Sequence, residues 1–216
     1  MAQAFGAAFH TSLEQAFATE NPIDAAIISS PNEVHFDQAV ACVSRRVPIL
    51  VEKPITDTLA RARTLAEMAE KAGVPVLVGH HRMHSTLLAA ANRFLSSSRF
   101  GRLVSVTGSA QFYKPAQYFV EGDWRSRIGG GPILINLIHE IGLMRHFCGE
   151  ISAVVALAAN AVRGFEVEDS VAISLRFANG ALGTFMLCDT AASSKSWEMT
   201  AGENPAYPFF PDEHCY

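Results

Sequence analysis

Short apolar runs alternate with helical patterns over the first part of the chain. Each run ends in polar, glycine or proline residues, as buried parallel strands do; the runs are residues 25–30, 48–52 and 74–79. The segment between the second and third runs has Thr58 as a candidate N-cap and Gly73 as its stop. Strands that alternate with helices predict a parallel sheet with right-handed crossovers.

The pattern changes after a predicted helix over residues 85–97. Apolar and polar residues then alternate in two segments, which predicts strands with one covered and one exposed face. The three strand candidates of this region are residues 103–112, 171–177 and 183–187. A glycine turn at 129–131 leads into a predicted helix over 133–147, and residues 192–216 carry so little periodicity that we expect a loop.

These patterns predict an α/β domain followed by an α+β domain. Residues 1–90 are expected to form a partial Rossmann domain, because neither a strand nor a Gly-x-Gly-x-x-Gly turn precedes the short helix at 11–18. Residues 91–216 are expected to hold an open, mostly antiparallel sheet. The chain is thus expected to be truncated at both ends and to lack the first βαβ unit.

Composition narrows the classes of partner. The 216 residues are 49% hydrophobic and 18% charged, which is typical of a globular protein. A formal charge of -4 without a basic run argues against nucleic acid, and no apolar run approaches the roughly 18 residues of a membrane span. Isolated cysteines such as Cys42 and Cys188 are typical of small core residues, which favours a reducing cytoplasm.

The tripeptide Glu52-Lys53-Pro54 ends the second predicted strand. Ligands bind at the carboxyl ends of strands in open α/β sheets, so Lys53 is a candidate catalytic residue. An ammonium group there can hydrogen-bond a substrate hydroxyl during hydride transfer. The alternative is an ordinary surface lysine at the end of a strand.

A second candidate pair follows the glycine turn. Asn136 and His139 lie three residues apart and share one face of the predicted helix. A neutral histidine is a natural acceptor for the proton of an alcohol. The alternative is a core histidine with satisfied hydrogen bonds, but glycines that let the backbone pass close to a ligand favour the functional interpretation.

Three weaker signals remain. Residues 29–35 follow a predicted strand and begin a helix, so they suit either ligand oxygens or simple N-capping by Ser30 or Asn32. His80 and His84 have the spacing of metal ligands on a helix, but the sequence offers no acidic third ligand nearby, so we expect no metal and instead polar residues that line a pocket. The residues that could line a polyol pocket, or be exposed without a role, are Tyr113, Trp124 and Arg125.

Taken in order, these motifs resemble the glucose-fructose oxidoreductase / inositol dehydrogenase (Gfo/Idh/MocA) family. The resemblance covers nearly the whole chain. The motifs are Ser30-Pro31-Asn32-x-x-His35, Glu52-Lys53-Pro54, Gly79-His80-x-Arg82, and the glycines 129–131 followed by His139. Many members carry an aspartate four residues before the histidine; Ile135 stands there, and Asn136 is expected to substitute for it.

The resemblance implies NAD or NADP as cofactor and a sugar, polyol or related secondary alcohol as substrate. It implies Lys53 and His139 as catalytic residues, and oligomers, dimers or tetramers, formed through the open sheet. The residues that it places along the cofactor are Ser30, Pro31, Asn32, His35, Glu52, Lys53, Pro54 and Arg82. Without the glycine turn, we expect the chain by itself to bind NAD(H) poorly. The alternative is a non-catalytic sugar-binding or assembly module on the same scaffold.

Overall fold

The structure is a computed structural model that describes residues 2–193 and 197–203, in two compact units divided between Gly79 and His80. In the first unit, three parallel strands lie in the order β1-β2-β3. The strands are β1 (Ala26–Ile28), β2 (Ile49–Glu52) and β3 (Val76–Gly79), and the helices are α1 (Leu13–Phe17), α2 (His35–Val43) and α3 (Leu59–Ala72). The predicted parallel sheet is confirmed.

The core of the first unit lies on one face of this sheet. Ile28, Ile49 and Val51 from the strands are buried in one cluster with Val43 of α2 and Leu65 of α3. Alternation along each strand turns the neighbouring side chains to the other face, where Ile27 and Leu77 are exposed.

The predicted ends of α3 are confirmed. The side-chain oxygen of Thr58 accepts a hydrogen bond from the backbone N–H of Arg61, which satisfies a donor that the first turn cannot pair. Gly73 ends the helix with a φ of 66°, a left-handed conformation that glycine adopts without steric cost.

The second unit contains a four-stranded mixed sheet in the order β4-β7-β6-β5. The β4–β7 pair is parallel and the other two pairs are antiparallel, which confirms a mostly antiparallel sheet. The strands are β4 (Ser105–Gln111), β5 (Ile151–Ala159), β6 (Ser170–Phe177) and β7 (Leu182–Cys188). The helices are α4 (Thr86–Leu95), α5 (Ala116–Val120), α6 (Ile138–Cys148) and α7 (Trp197–Ala201).

Helix α6 covers the inner face of this sheet. Val171, Leu175 and Phe177 of β6 alternate inward and pack in one buried cluster with Met144 and Cys148 of α6. Their alternation with exposed neighbours is the pattern from which β6 was predicted. No helix in the described part of the chain is long and apolar enough to cross a membrane.

The sequence-based assignment was wrong in three places. Strand β5 was missed, because its alanine, valine and leucine residues give no polar contrast between its two faces, and most of them are exposed. Helix α7 lies in the predicted loop of residues 192–216, of which 194–196 and 204–216 lie outside the described residues. Helix α5 lies between β4 and the glycine turn, where the sequence patterns predicted no helix or strand.

Candidate functional site

In the first unit, polar residues gather where the parallel strands end. Ser30 follows β1, Glu52 ends β2, and the partly buried Lys53 comes directly after it. Gly79, at the end of β3, lies so close to Glu52 that an added Cβ would be 2.9 Å from Glu52 Oε1. The sequence-predicted residues of this unit therefore share one edge of the sheet.

His35 joins two of the loops at this edge. Its ring is fully buried, with Nδ1 2.8 Å from the carbonyl oxygen of Pro54 and Nε2 2.8 Å from that of Ser30. A carbonyl oxygen only accepts and a neutral imidazole has one N–H, so His35 donates to at least one of these carbonyls. The buried ring lies between the loop after β1 and the loop that carries Lys53.

Asn32 and Ser30 do not cap the helix, so the N-capping alternative is wrong for both. The first turn after Pro31 has no side-chain cap, and Ser30 Oγ instead donates to Gln38 Oε1 at 2.6 Å. The side chain of Asn32 is buried, and its Nδ2 has no hydrogen-bond partner among the described residues. Because a buried donor without an acceptor costs free energy, this amide suits a ligand oxygen.

The second unit contains a cavity of about 560 Å³. Its wall mixes charged, amide, hydroxyl and aromatic groups, the kind of lining that fixes the orientation of a small polar ligand. The principal side chains that line it are Arg82, Tyr113, Lys114, Tyr118, Asn136, Glu140, Trp197 and Glu198.

Asn136 and His139 stand on either side of the junction between a π-helical turn and α6. The turn, Ile133–Leu137, holds Asn136 and precedes α6 directly; π-helical turns recur at functional sites. Asn136 lines the cavity. His139 is buried and does not line it, and its ring centroid lies 4.8 Å from that of His81. The predicted helix is confirmed, with an irregular first turn.

Lys114 is a cavity residue that sequence reasoning missed. Its side chain is 10% exposed, and Nζ donates to Asn136 Oδ1 at 2.7 Å. The same ammonium lies 4.9 Å from the ring centroid of Tyr118 and 5.2 Å from that of Phe112, within the range of cation–π attraction. A single lysine after an alternating strand carries no sequence signal that distinguishes it from a surface lysine.

Lys114 belongs to a buried ion-pair network with Asp189 and Arg163. Asp189 Oδ2 lies 3.9 Å from Lys114 Nζ, and Asp189 Oδ1 accepts from Arg163 Nε at 2.8 Å. The backbone of Lys114 is fixed as well, since its N–H donates to the carbonyl of Asp189 and its own carbonyl accepts from Arg163 Nη2. These contacts hold the ammonium in the wall of the cavity.

Asp169 anchors the loop that carries Arg163. Burial by itself would raise the pKa of this carboxyl group, but hydrogen bonds from the Ser170 hydroxyl and from the backbone N–H groups of Arg163 and Val162 outweigh burial. The pKa of Asp169 is therefore lower than its ordinary value, and the group is a stable anion in the fold.

Arg82 is another residue of the lining and pairs with two carboxylates. Its guanidinium donates to Glu140 and, at 2.6 Å, to Glu198, and it lies 5.4 Å from the ring centroid of Trp197. Burial raises the pKa of Glu140, the Arg82 charge opposes that rise, and the nearby Glu198 adds to it. Arg82 thus holds two carboxylates that line the cavity of the second unit in position.

The three residues predicted to line a polyol pocket differ in position. Tyr113 lines the cavity and is 62% exposed. Arg125 stands behind the lining, with its guanidinium 4.1 Å from the ring centroid of Tyr118 and a 2.7 Å hydrogen bond to the Tyr118 carbonyl. Trp124 lies next to Arg125 and does not contribute to the wall of this cavity.

The glycine turn packs against the protein itself. A Cβ at Gly130 would lie 2.6 Å from the carbonyl oxygen of Trp124, and one at Gly131 would lie 2.8 Å from Glu168 Oε1. Glu168 Oε1 also accepts from the backbone N–H of Ile133, where helical structure begins. Gly130 thus approaches the backbone and Gly131 approaches a side chain at distances that leave no room for a Cβ. That the glycine turn also lies close to a ligand stays a prediction.

Two family models match the chain. The model of the oxidoreductase family with an NAD-binding Rossmann fold matches residues 1–80, and that of the GFO/IDH/MocA C-terminal domain matches residues 88–203. Together they cover the parallel sheet of the first unit and the mixed sheet of the second.

Characterised proteins and solved structures agree with these models. The chain is 31% identical to 1,5-anhydro-D-fructose reductase of Ensifer adhaerens over 81% of its length, and 26% identical to levoglucosan dehydrogenase of Pseudarthrobacter phenanthrenivorans over 85%. The structure of the WlbA dehydrogenase from Bordetella pertussis, in complex with NADH and UDP-GlcNAcA, aligns with 88% of this chain at a TM-score of 0.82 and 25% identity.

The chain spans about half the length of these relatives: 53% of the reductase, 54% of the levoglucosan dehydrogenase and 55% of WlbA. The two matched models follow one another along the chain in the order of the two units, and the sequence motifs lie within them except Gly79-His80-x-Arg82, which crosses the end of the first match. The chain therefore belongs to the Gfo/Idh/MocA oxidoreductase family.

Proposed function

We propose that this chain belongs to an NAD(P)-dependent dehydrogenase that oxidises a secondary alcohol of a sugar or polyol. The observation that carries the proposal is the cavity of the second unit, whose wall contains hydrogen-bond donors, acceptors and aromatic rings. Each hydroxyl of a polyol both donates and accepts, so such a wall suits it.

The edge of the first sheet fits a dinucleotide. The unsatisfied Nδ2 of Asn32 is a buried donor for a carboxamide or hydroxyl oxygen, and Ser30, Glu52 and Lys53 lie at the same strand ends. Pro31 and Pro54 shape the two loops there, and His35 fixes them together. We assign these residues to the cofactor, and Arg82 to the order of the substrate cavity.

Two residues are assigned to proton chemistry. The nicotinamide ring, when bound, supplies the acceptor for the hydride that leaves the carbinol carbon. By the family motifs, we assign His139 as the acceptor of the hydroxyl proton on a ring nitrogen. By the same motifs, we assign Lys53 as a catalytic hydrogen-bond donor. Asn136, whose oxygen accepts from Lys114, offers N–H donors and so orients the substrate rather than accepting a proton.

The test is oxidation of a panel of sugars and cyclitols at millimolar NAD or NADP, with formation of the reduced cofactor as the readout. We expect weak cofactor binding, because the sequence contains no Gly-x-Gly-x-x-Gly turn, and turnover that Lys53→Met and His139→Ala each abolish. Titration of NADH fluorescence measures the binding separately. Absence of substrate-dependent reduction at saturating cofactor would leave the non-catalytic module as the better description.

The outer face of the mixed sheet supports assembly into homo-oligomers. Small and apolar side chains dominate this face, among them Val155 and Leu157 of β5 and Met186 of β7, with Arg176 as a charged exception. A second copy of this chain can offer the same flat, largely uncharged surface, as a self-complementary twofold interface requires. We therefore propose that two copies pair through it.

A further inference from the structure

We propose that His81 is a proton-relay residue that carries protons between the buried ring of His139 and solvent. The inference rests on the proposed function, in which His139 accepts the hydroxyl proton of the substrate, and it adds a residue to which that function gives no role. It starts from the contact between the two imidazole rings, whose centroids lie 4.8 Å apart.

The burial of His139 creates the need for a relay. The residue is 8% exposed and does not line the cavity. Under the proposed function, each oxidised alcohol gives a hydride to NAD(P) and a proton to His139. An imidazolium ring has no lone pair for a second proton, so the ring must release the first one before the next turnover. A buried base therefore needs a neighbour that exchanges protons with water.

His81 has the exposure that His139 lacks. It begins the 3-10 turn His81–His84, which comes shortly after β3 and packs against α6, and the residue is exposed. The two rings meet edge to face at an interplanar angle of 65°. Because the nitrogens stand at the edge of an imidazole ring, a proton can pass between the rings directly after a rotation of the exposed one, or through one water.

Other protonatable groups of this unit fit the role less well. The ring centroid of His80 is 6.5 Å from that of His139, and His80 is only partly exposed. Glu140 follows His139 in α6, but its carboxylate is paired with the Arg82 guanidinium and its side chain is 17% exposed. His81 thus combines the shorter ring contact with access to water.

The transfer is balanced without any further reactant. The proton leaves a ring nitrogen of His139 and binds the ring nitrogen of His81 that carries a lone pair, so His139 becomes neutral as His81 becomes a cation. Water or a buffer base then takes the proton from His81, and both rings are neutral again. Imidazole suits both steps because it binds and releases protons readily near neutral pH.

The experiment follows the ring N–H proton of His139 by NMR and needs neither cofactor nor substrate. In the full chain with isotope-labelled histidine, the exchange rate of this proton with water is measured. His81→Phe keeps an aromatic ring but offers no nitrogen, so we expect it to slow the exchange at least about tenfold. The matched control is His84→Phe, at an exposed histidine of the same turn, which should change the rate less than about twofold.

A second variant separates proton transfer from packing and polarity. His81→Gln keeps a hydrogen-bonding side chain in the turn but cannot take up a proton near neutral pH, so it should slow the exchange as much as His81→Phe does. An unchanged rate in either folded variant overturns the proposal, since a ring that only packs or a group that only orders water would then be sufficient. If one variant does not fold, the other decides.

Failure of this proposal is distinguishable from failure of the proposed function, because reduction of NAD(P) with the panel of sugars and cyclitols is measured separately. Exchange at His139 that depends on His81, without reduction of NAD(P), retains the relay and removes the dehydrogenase. Reduction of NAD(P) by a chain in which exchange at His139 ignores His81 does the reverse.

Discussion

Asp169 shows how one buried carboxylate organises the support of the cavity. It is 1% exposed, and its hydrogen bonds from Val162 and Arg163 hold the turn that delivers the Arg163 guanidinium to Asp189. Nothing in the local sequence distinguishes it from the other acidic residues of the segment, because its partners become neighbours only when the strands pair.

Replacing Asp169 with Asn should destabilise the fold by about 1–3 kcal/mol, since a charged acceptor of several hydrogen bonds is lost. The sign of the pH effect follows from the lowered pKa: the carboxylate's contribution is present above the ordinary aspartate pKa and is lost as pH falls through the folded-state value. Urea denaturation across the acid range should therefore show a shallower decline for Asp169→Asn. An unchanged acid limb would contradict this.

The pKa of Glu140 is shifted in the opposite direction from that of Asp169. Because burial raises its pKa in the fold, the folded state holds the proton more tightly than the unfolded chain, and stability falls as pH rises from the ordinary glutamate pKa through the raised value. Glu140→Gln keeps the shape and removes the titration, so its melting temperature should fall less over that window. Glu150→Gln, at an exposed residue paired with Arg145, is the matched control and should lack this effect.

Residues with a sequence motif were found from sequence, and residues whose neighbourhood depends on tertiary contacts were not. Lys53 and Asn136 stand in recognisable motifs, and the structure places the first at a strand end and the second in the cavity wall. Lys114 and Glu198 have no such context, because what distinguishes them is burial against distant segments.

At the scale of elements, strands and helices were predicted correctly where the alternation of apolar and polar residues or the helix caps were clear. Strand β6 alternates along its length and α3 has both its cap and its stop, and both elements were predicted. Strand β5 could not be predicted from hydrophobic periodicity, because its residues are similar on both faces and give no alternating pattern. The π-helical turn before α6 could not be predicted from hydrophobic periodicity, because that method assumes the roughly 3.6 residues per turn of an α-helix.

Two glycine substitutions should have opposite effects on the helix that bears His139. Gly130→Ala puts a methyl group against the Trp124 backbone, so we expect a loss of about 1–3 kcal/mol. Gly142→Ala, inside α6, meets only Met83 Sδ at 3.8 Å and should gain about 0.5–1 kcal/mol from helix propensity. Chemical denaturation measures both, and similar shifts for the two variants would refute the packing argument.

At the scale of the whole molecule, the two fold classes could be predicted because each sheet imposes its own pattern on the sequence. Continuous apolar runs marked the parallel sheet of the first unit, and alternation marked the mixed sheet of the second. The order of the second sheet could not be read in this way, since no pattern within β4 reveals that its neighbour is β7.

Association through the outer face of the mixed sheet can be tested by introducing charged residues on that face. Val155 and Leu157 are 72% and 79% exposed on that face, so Val155→Glu with Leu157→Glu should shift sedimentation toward the monomer without loss of the fold. Val162→Glu, at a residue that is 71% exposed and outside the strands, is the matched control and should leave the oligomer intact. If the unaltered chain sediments as a monomer, the proposed interface is wrong.

The parallel pairing of β4 with β7 has a consequence for synthesis on the ribosome. Ser105 finds its partner Leu182 only after the intervening chain has emerged, so this contact adds heavily to the contact order of the second unit. Helix α6 and the β5–β6 hairpin can form earlier from local contacts. The network that seats Lys114 needs Asp189, directly after β7, and must therefore assemble among the last events of folding.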